Sequence, residues 1–203
     1  MNIGIVGAGS VGVSFAKAVR RLNHSVMLSS RTPDSEKMRA LSQELNAQTG
    51  TVAETVAFGH IVVVALRWDA VPDAVREGGD WSGKVIVDLT NRFGSLPSGV
   101  TSGAAALAQL TGGKVVKAFN SIGAEHYQHP SFSGQSATMP IAGDDPTAKA
   151  EVMQLAQAMG FDPIDFGGLE HARLVENWAE IWVHLAFRAG QGRDIALKLI
   201  RRT

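Results

Sequence analysis

The first residues alternate between two hydrophobic periods. Asn2-Ile3-Gly4-Ile5-Val6 is a short apolar run, Val13, Phe15, Ala16, Val19 and Leu22 then recur at helical spacing, and Ser25-Val26-Met27-Leu28 is a second run. Continuous β-branched runs suit a parallel sheet covered on both faces, and spacings of three and four suit the helix between them. The same alternation continues along the chain. Runs at about 50–52, 60–66, 84–89, 114–119, 138–143 and 162–166 predict six more strands, with helices over about 33–47, 69–77, 102–111 and 146–159. Asp69 and Asp145-Pro146 read as helix starts. Strands and helices in this order predict an α/β fold, a Rossmann-type doubly wound and mainly parallel sheet.

Two segments break the rhythm. Residues 120–137, rich in Ser, Gly and His, read as a long loop, and such loops are uncommon unless they carry function. From about Gly168 a long helix runs to Phe187. Leu174, Trp178, Ile181 and Leu185 form one stripe on it, and Val175, Ala179, Trp182 and Ala186 form the adjoining one. That face is wider than a solvated helix needs, so it packs on the sheet, on a twofold mate, or on both. Gly190-x-Gly192 ends the helix, and a short helix is predicted over 193–202.

The turn after the first strand carries the main chemical signal. Gly7-Ala8-Gly9-Ser10-Val11-Gly12 is a three-glycine turn between a strand and a helix. In a βαβ dinucleotide site the first glycine permits the tight turn, the second lets a pyrophosphate reach the backbone, and the third lets helix and strand pack closely. Free N–H groups and the positive dipole end then face the phosphates. The second strand ends in Ser29-Ser30-Arg31-Thr32-Pro33, where an NAD-type site would place Asp or Glu. A hydroxyl with a guanidinium suits a 2′-phosphate instead, which favours NADP (NADPH) over NAD. The bland alternative makes Arg31 a solvated residue ahead of a helix capped by Thr32, with Pro33 at its first position. On this reading residues 1–167 form the NADP-binding domain. Residues 168–203 form a C-terminal helical extension that packs on it, on a dimer mate, or on both.

Composition narrows the class. The 203 residues are 45% apolar, with 19 basic and 19 acidic side chains. This describes an ordinary globular chain with no net field toward nucleic acid or membrane. The absence of cysteine excludes disulfides, thiolate catalysis and Cys-ligated zinc or iron–sulfur centres. The first core strand starts at the N-terminus, leaving no room for a signal peptide. No apolar run is long enough for a membrane span, so a cytoplasmic location is expected. His171 and His184 share no helical face with another ligand, so no metal site is predicted. His126 and His129 read as solvated loop residues and His60 as structural. Asp88 reads as the residue that fixes the Asp-x-Thr-Asn turn.

Several stretches together resemble the NADPH-dependent coenzyme F420 (deazaflavin) oxidoreductase family, with its bacterial paralogues and the related cytosolic domain of metalloreductases. They are GAGSVG at 7–12, SSRTP at 29–33, VVVALRWDAV at 62–71, DLTN at 88–91, KVVKAFNSIG at 114–123, AGDD at 142–145 and GGLEHARLVENW at 167–178. The resemblance implies that Ala8 to Val11, Ser30, Arg31, Leu66, Asn91 and Ala118 hold NADP, and that Asn120 to Gly123 border a second ring. It implies direct hydride transfer between nicotinamide and a partner such as coenzyme F420, FMN or FAD. One departure is clear: Arg67 stands before Trp68 where many members carry Pro, which alters the nicotinamide-side wall.

The residues favour direct ring-to-ring transfer, for which no side-chain acid or base is expected. Hydroxyacid-type relatives place Lys and Asn one helical turn apart, whereas this chain has Arg173 and Asn177. Arginine does not exchange protons usefully. Arg173 and Asn177 either bind a polar tail of the second cofactor or brace the helix. Two other readings stand beside flavin or deazaflavin transfer: an NADPH-dependent reductase of a small keto or imino substrate, and a non-enzymatic NADP(H)-binding sensor. The expected partners are a small-molecule redox partner or substrate and a second copy in a homodimer.

Overall fold

A computed structural model describes residues 1–92 and 99–202. The chain begins with β1 (Asn2–Val6), α1 (Ser10–Arg21), β2 (Ser25–Ser29), α2 (Glu36–Leu45), β3 (Gln48–Gly50), α3 (Val52–Phe58) and β4 (Ile61–Val64). A 3₁₀ turn over Trp68–Ala70 leads into α4 (Val71–Glu77), followed by β5 (Val85–Asp88), α5 (Gly103–Thr111) and β6 (Lys114–Lys117). Then come β7 (Ser131–Phe132), β8 (Gln135–Ser136), β9 (Thr138–Gly143), α6 (Pro146–Ala158), β10 (Asp162–Asp165) and α7 (Ala172–Val183).

Eight strands form one sheet in the order β10-β9-β6-β5-β4-β1-β2-β3. The six from β3 to β6 are parallel; β9 runs antiparallel to β6, and β10 parallel to β9. Strand order reverses between β1 and β4, and in an open α/β sheet a crevice opens there beyond the carboxyl ends. Every residue of β4, β5 and β9 is buried, as two covered faces require. One face packs on Phe15, Val19, Phe119 and Val152, where Phe15 and Phe119 meet edge to face at 5.1 Å. The other packs on Val71, Leu107 and Val175, so α7 docks there through Ala172 and Val175, and it also buries Ala179 and Trp182. Leu174 and Ile181 remain about half exposed.

Four expectations are corrected. The helix expected from residue 33 begins at Glu36: Ser35, not Thr32, is its cap, accepting from the Met38 N–H at 3.4 Å. The strand expected at 50–52 ends at Gly50, and a further helix, α3, follows at once. Thr51 and Glu54 close a capping box there, with Thr51 N–H donating to Glu54 at 2.7 Å and Glu54 N–H to Thr51 at 3.2 Å. The long loop at 120–137 contains the hairpin β7–β8, turning on Ser133 and Gly134, whose φ values are 50° and 79°. Such positive angles are what a two-residue hairpin turn requires.

The helix expected over 193–202 is not formed. An isolated helix that short is marginal in water, and here the backbone finds tertiary partners instead. Trp182 Nε1 donates to the Ile195 carbonyl at 2.8 Å, Thr138 N–H to Leu197 at 3.1 Å, and Leu199 N–H to Thr138 Oγ1 at 2.9 Å.

Candidate functional site

The three glycines divide the work their spacing predicts. Gly7 has φ +117°, and a Cβ there would stand 2.5 Å from the Ala65 carbonyl oxygen. A Cβ on Gly12 would stand 1.9 Å from the Gly7 carbonyl oxygen, so α1 can approach β1 only without one. At Gly9 a Cβ would meet nothing within 4 Å. Gly9 also caps α1 without any side-chain hydrogen bond, and the first turn holds no acid. The N–H groups of that turn therefore face open space with their dipole uncompensated. The loop is tied to β2 by Ser29, whose buried Oγ accepts from Gly7 N–H at 3.0 Å.

Three cavities run in series along the carboxyl edge. The central cleft, about 750 Å³, lies between the turn from Gly7 to Val11, the segment from Ala65 to Asp69, and Leu89 and Asn91 beyond β5. A second, about 400 Å³, shares Gly7, Ala8 and Leu66 with it and carries Ser30, Arg31, Thr32 and Lys37. A third, about 280 Å³, shares Ser10, Val11, Leu89 and Asn91 with the central cleft; Phe119, Asn120, Tyr127, Trp182 and Arg193 help to wall it.

Most of the residues picked from sequence therefore converge. Gly7, Ala8, Gly9, Ser10, Val11, Leu66, Arg67 and Asn91 line the central cleft, Ser30 and Arg31 the second cavity, and Asn120 the third. Gly12 lies beneath the loop. Ala118 does not join them: it is fully buried in the sheet, its N–H on the Asp88 carbonyl at 3.3 Å. Ser30 Oγ accepts from Thr32 N–H at 3.1 Å, and Arg31 is exposed. Arg67 turns its guanidinium onto Asp69, with Nε 3.1 Å from Oδ1 and Nη2 on Oδ2. That hydrogen bond raises Arg67 and holds the Asp69 carboxyl below its ordinary range.

At the junction of the central and third cavities two amides lock together. Asn91 Nδ2 donates to the Asn120 carbonyl at 3.3 Å, and Asn120 Nδ2 donates to Asn91 Oδ1 at 3.2 Å. Phe119, with φ +60°, holds the strained turn that precedes Asn120. Its carbonyl accepts from Tyr127 OH at 2.5 Å, and burial pushes that phenol well above its usual range.

Several participants were not picked from sequence. Lys37 adds a second cation beside Arg31. Arg193 binds Glu125 through both oxygens, at 2.5 and 2.6 Å, and lies over the Trp182 and Phe187 rings. It holds the Glu125 carboxyl down to about 2. Behind the cleft, fully buried Lys117 donates to Asp88 Oδ2 at 3.0 Å and to the Thr90 carbonyl. Asp88 Oδ1 accepts from Thr90 N–H at 2.8 Å, so Asp88 fixes its turn and also pairs a charge. Glu176, 4% exposed, accepts from Gly103 N–H at 2.8 Å; burial pushes its carboxyl up while Lys117 pulls it down. Arg173 lies 3.3 Å from Glu180 and 3.8 Å from Glu176, bracing α7. His126 is mostly buried, with Nε2 3.1 Å from the Arg193 carbonyl, so it supports the tail rather than facing solvent.

Sheet order, glycine turn and cavity series together define a Rossmann-type dinucleotide-binding protein. Residues 2–92 match the family described as NADP oxidoreductase coenzyme F420-dependent. A protein of Arthrobacter sp. FB24 described as an F420-dependent NADP reductase superposes with a TM-score of 0.86 at 25% identity, over 98% of this chain and 99% of that one. Metalloreductase STEAP3 of Rattus norvegicus is 32% identical over 180 residues, 86% of this chain and 36% of its own length. The chain thus spans about a third of the curated relatives it matches. A reductive aminase of Aspergillus terreus, in complex with NADPH4, cyclohexanone and allyl amine, shares the fold at 20% identity and a TM-score of 0.69, over 93% of this chain and 62% of that one. The family model and the Arthrobacter structure that this chain resembles are both described as F420-dependent and NADP-linked. Among the described residues no helix is long and apolar enough to cross a membrane.

Proposed function

We propose that this protein transfers a hydride between NADPH and a planar flavin or deazaflavin partner of the coenzyme F420 type. The observation that carries the cofactor choice is the second cavity. At the end of β2, where an NAD site holds an acid, stand Ser30 and Arg31 with Lys37 nearby. A hydroxyl and two cations suit a 2′-phosphate. The open face at Gly9 fits a pyrophosphate, and Leu66, Arg67, Asn91 and Asn120 line the end left for the nicotinamide. When bound, NADPH supplies the hydride. The protein's share is to hold both rings in register and to exclude water.

The third cavity, beside Asn91, takes the partner. Its volume of about 280 Å³ also favours a second reading, in which the acceptor is a small keto or imino compound. The half-exposed stripe of Leu174 and Ile181 is assigned to a second copy of the chain, and a cytoplasmic location goes with this reading. The test is anaerobic loss of reduced-nicotinamide absorbance with a deazaflavin, FMN, FAD and a keto and imine panel. Turnover with a flavin or deazaflavin is expected. Turnover with only the keto or imine panel moves the assignment to the second reading, and tight NADPH binding without any turnover makes the protein a sensor. Sedimentation of the same sample should return twice the 21.5 kDa chain mass; a monomer mass removes the dimer.

A further inference from the structure

Reduction by NADPH delivers a hydride, but the acceptor must also gain a proton unless it starts as a cation. Tyr127 is committed to the Phe119 carbonyl, and Glu125 is held ionised by Arg193. Neither supplies a proton at neutral pH. Glu176, which the reading above does not use, is placed differently.

Glu176 sits on α7 directly behind the cleft wall. A Cβ added to Gly103 would meet both Glu176 Oε1, at 3.2 Å, and the Trp68 ring, at 3.5 Å. Oε1 takes the Gly103 N–H, while the buried Oε2 has no hydrogen-bond partner. A gap of about 10 Å³ bordered by Glu176, Asn91, Arg92 and Glu180 adjoins it, room for about one water. Asn91 borders this gap and also both the central and third cavities. Five buried side-chain polar atoms lack partners among the described residues, and three of them surround Asn91: Thr90 Oγ1, Asn120 Oδ1 and Glu176 Oε2. Buried polar atoms left without hydrogen-bond partners are sites that water fills.

Burial, rather than the neighbouring charges, favours the neutral form of Glu176: Lys117 and Arg173 pull its carboxyl down, Asp88 pushes it up, and burial outweighs them. From β5 and β6, Asp88 and Lys117 pair at 3.0 Å, and of the two Lys117 acts more strongly on Glu176. On α7, Arg173 stands 3.8 Å away and is shared with Glu180; Arg92 borders the gap from the loop after β5. Burial is the largest influence on Glu176 and disfavours its charge. Oε1 caps α5, while buried Oε2 has only the Arg173 guanidinium, 3.8 Å away and beyond hydrogen-bond reach.

We propose that Glu176 is the proton source for the hydride acceptor, acting through one water held between α7 and Asn91. The inference rests on the hydride-transfer reading above. The acceptor gains the hydride, at carbon in a deazaflavin, ketone or imine and at N5 in a flavin, and the reduced nicotinamide is oxidised. The acceptor's nitrogen or oxygen gains a proton from the water, which takes one from Glu176, and bulk solvent reprotonates the carboxylate. For each turnover the balance is one hydride and one proton consumed.

Two measurements on the full chain test this. Difference infrared spectra of the wild type, with and without NADPH, should show a protonated carboxyl band near neutral pH that fades on raising pH and is missing in Glu176→Gln. Absence of that band overturns the proposal. Glu176→Gln keeps an acceptor for Gly103, so NADPH affinity should be unchanged. Its kcat with a proton-requiring deazaflavin or imine acceptor should fall about 100-fold, losing its pH dependence. Reduction of N-methylacridinium, which takes a hydride alone, should be unaffected. Equal losses with both acceptors, or no loss with either, overturn the proposal. A wild type that reduces no acceptor at all overturns the hydride-transfer reading, and this inference with it.

Discussion

At the scale of single residues, Gly9 and Gly12 show why one residue type serves unlike ends. Gly12 lacks a side chain because the Gly7 carbonyl occupies its place, whereas Gly9 faces nothing in the protein. Gly12→Ala should therefore cost about 3 kcal/mol of stability in urea unfolding, as forced overpacking does. Gly9→Ala should leave stability unchanged and weaken NADPH binding about tenfold or more. A stable Gly12→Ala, or an unfolded Gly9→Ala, would contradict these assignments. The turn and the Ser30–Arg31 pair were legible because their chemistry is local in sequence. Lys117 and Asp88 lie 29 residues apart, and Gly103 and Glu176 lie 73 apart, so no local pattern joins them. Lys37 was legible in principle, since it lies six residues beyond Arg31 on the same segment.

At the scale of elements, the buried strands of the parallel sheet read clearly because both faces are covered and the apolar run is continuous. The seven-residue α3 was missed, though its Thr51–Glu54 capping box was visible. The C-terminal tail was misread as helix because its ordering comes from distant partners. Glu125 and Arg193 are 68 residues apart. This contact makes the tail pH-sensitive in a definite direction. Glu125 is lowered from 4.5 to about 2 in the folded protein, so its contribution is present above pH 4.5 and is lost as pH falls toward 2. The pair is 48% and 40% exposed, so screening keeps the effect small. Acidification through that window should change Trp182 fluorescence as the tail is released, a change that Glu125→Gln should lack. A wild type with no such difference from Glu125→Gln would remove the clamp.

At the scale of the whole molecule, a six-stranded parallel unit with a reversal at β1 and β4 provides the crevice, and β9, β10, α7 and the tail build out its far end. The nearer half was legible from the glycine turn and the strand rhythm. Of the far chamber only the stretch from Asn120 to Gly123 was named from the sequence, because Trp182 and Arg193 join it only after the antiparallel β9 and the tail are in place. The central claim is that the end of β2 selects a phosphorylated adenosine ribose, and its most direct test is titration of NADPH and NADH into the wild type and Arg31→Ala. The wild type should prefer NADPH, and Arg31→Ala should lose about 10- to 100-fold in NADPH affinity, the scale of lost charge-assisted hydrogen bonds, with NADH little changed. Equal losses for the two nucleotides, or a wild type that prefers NADH, would contradict the account.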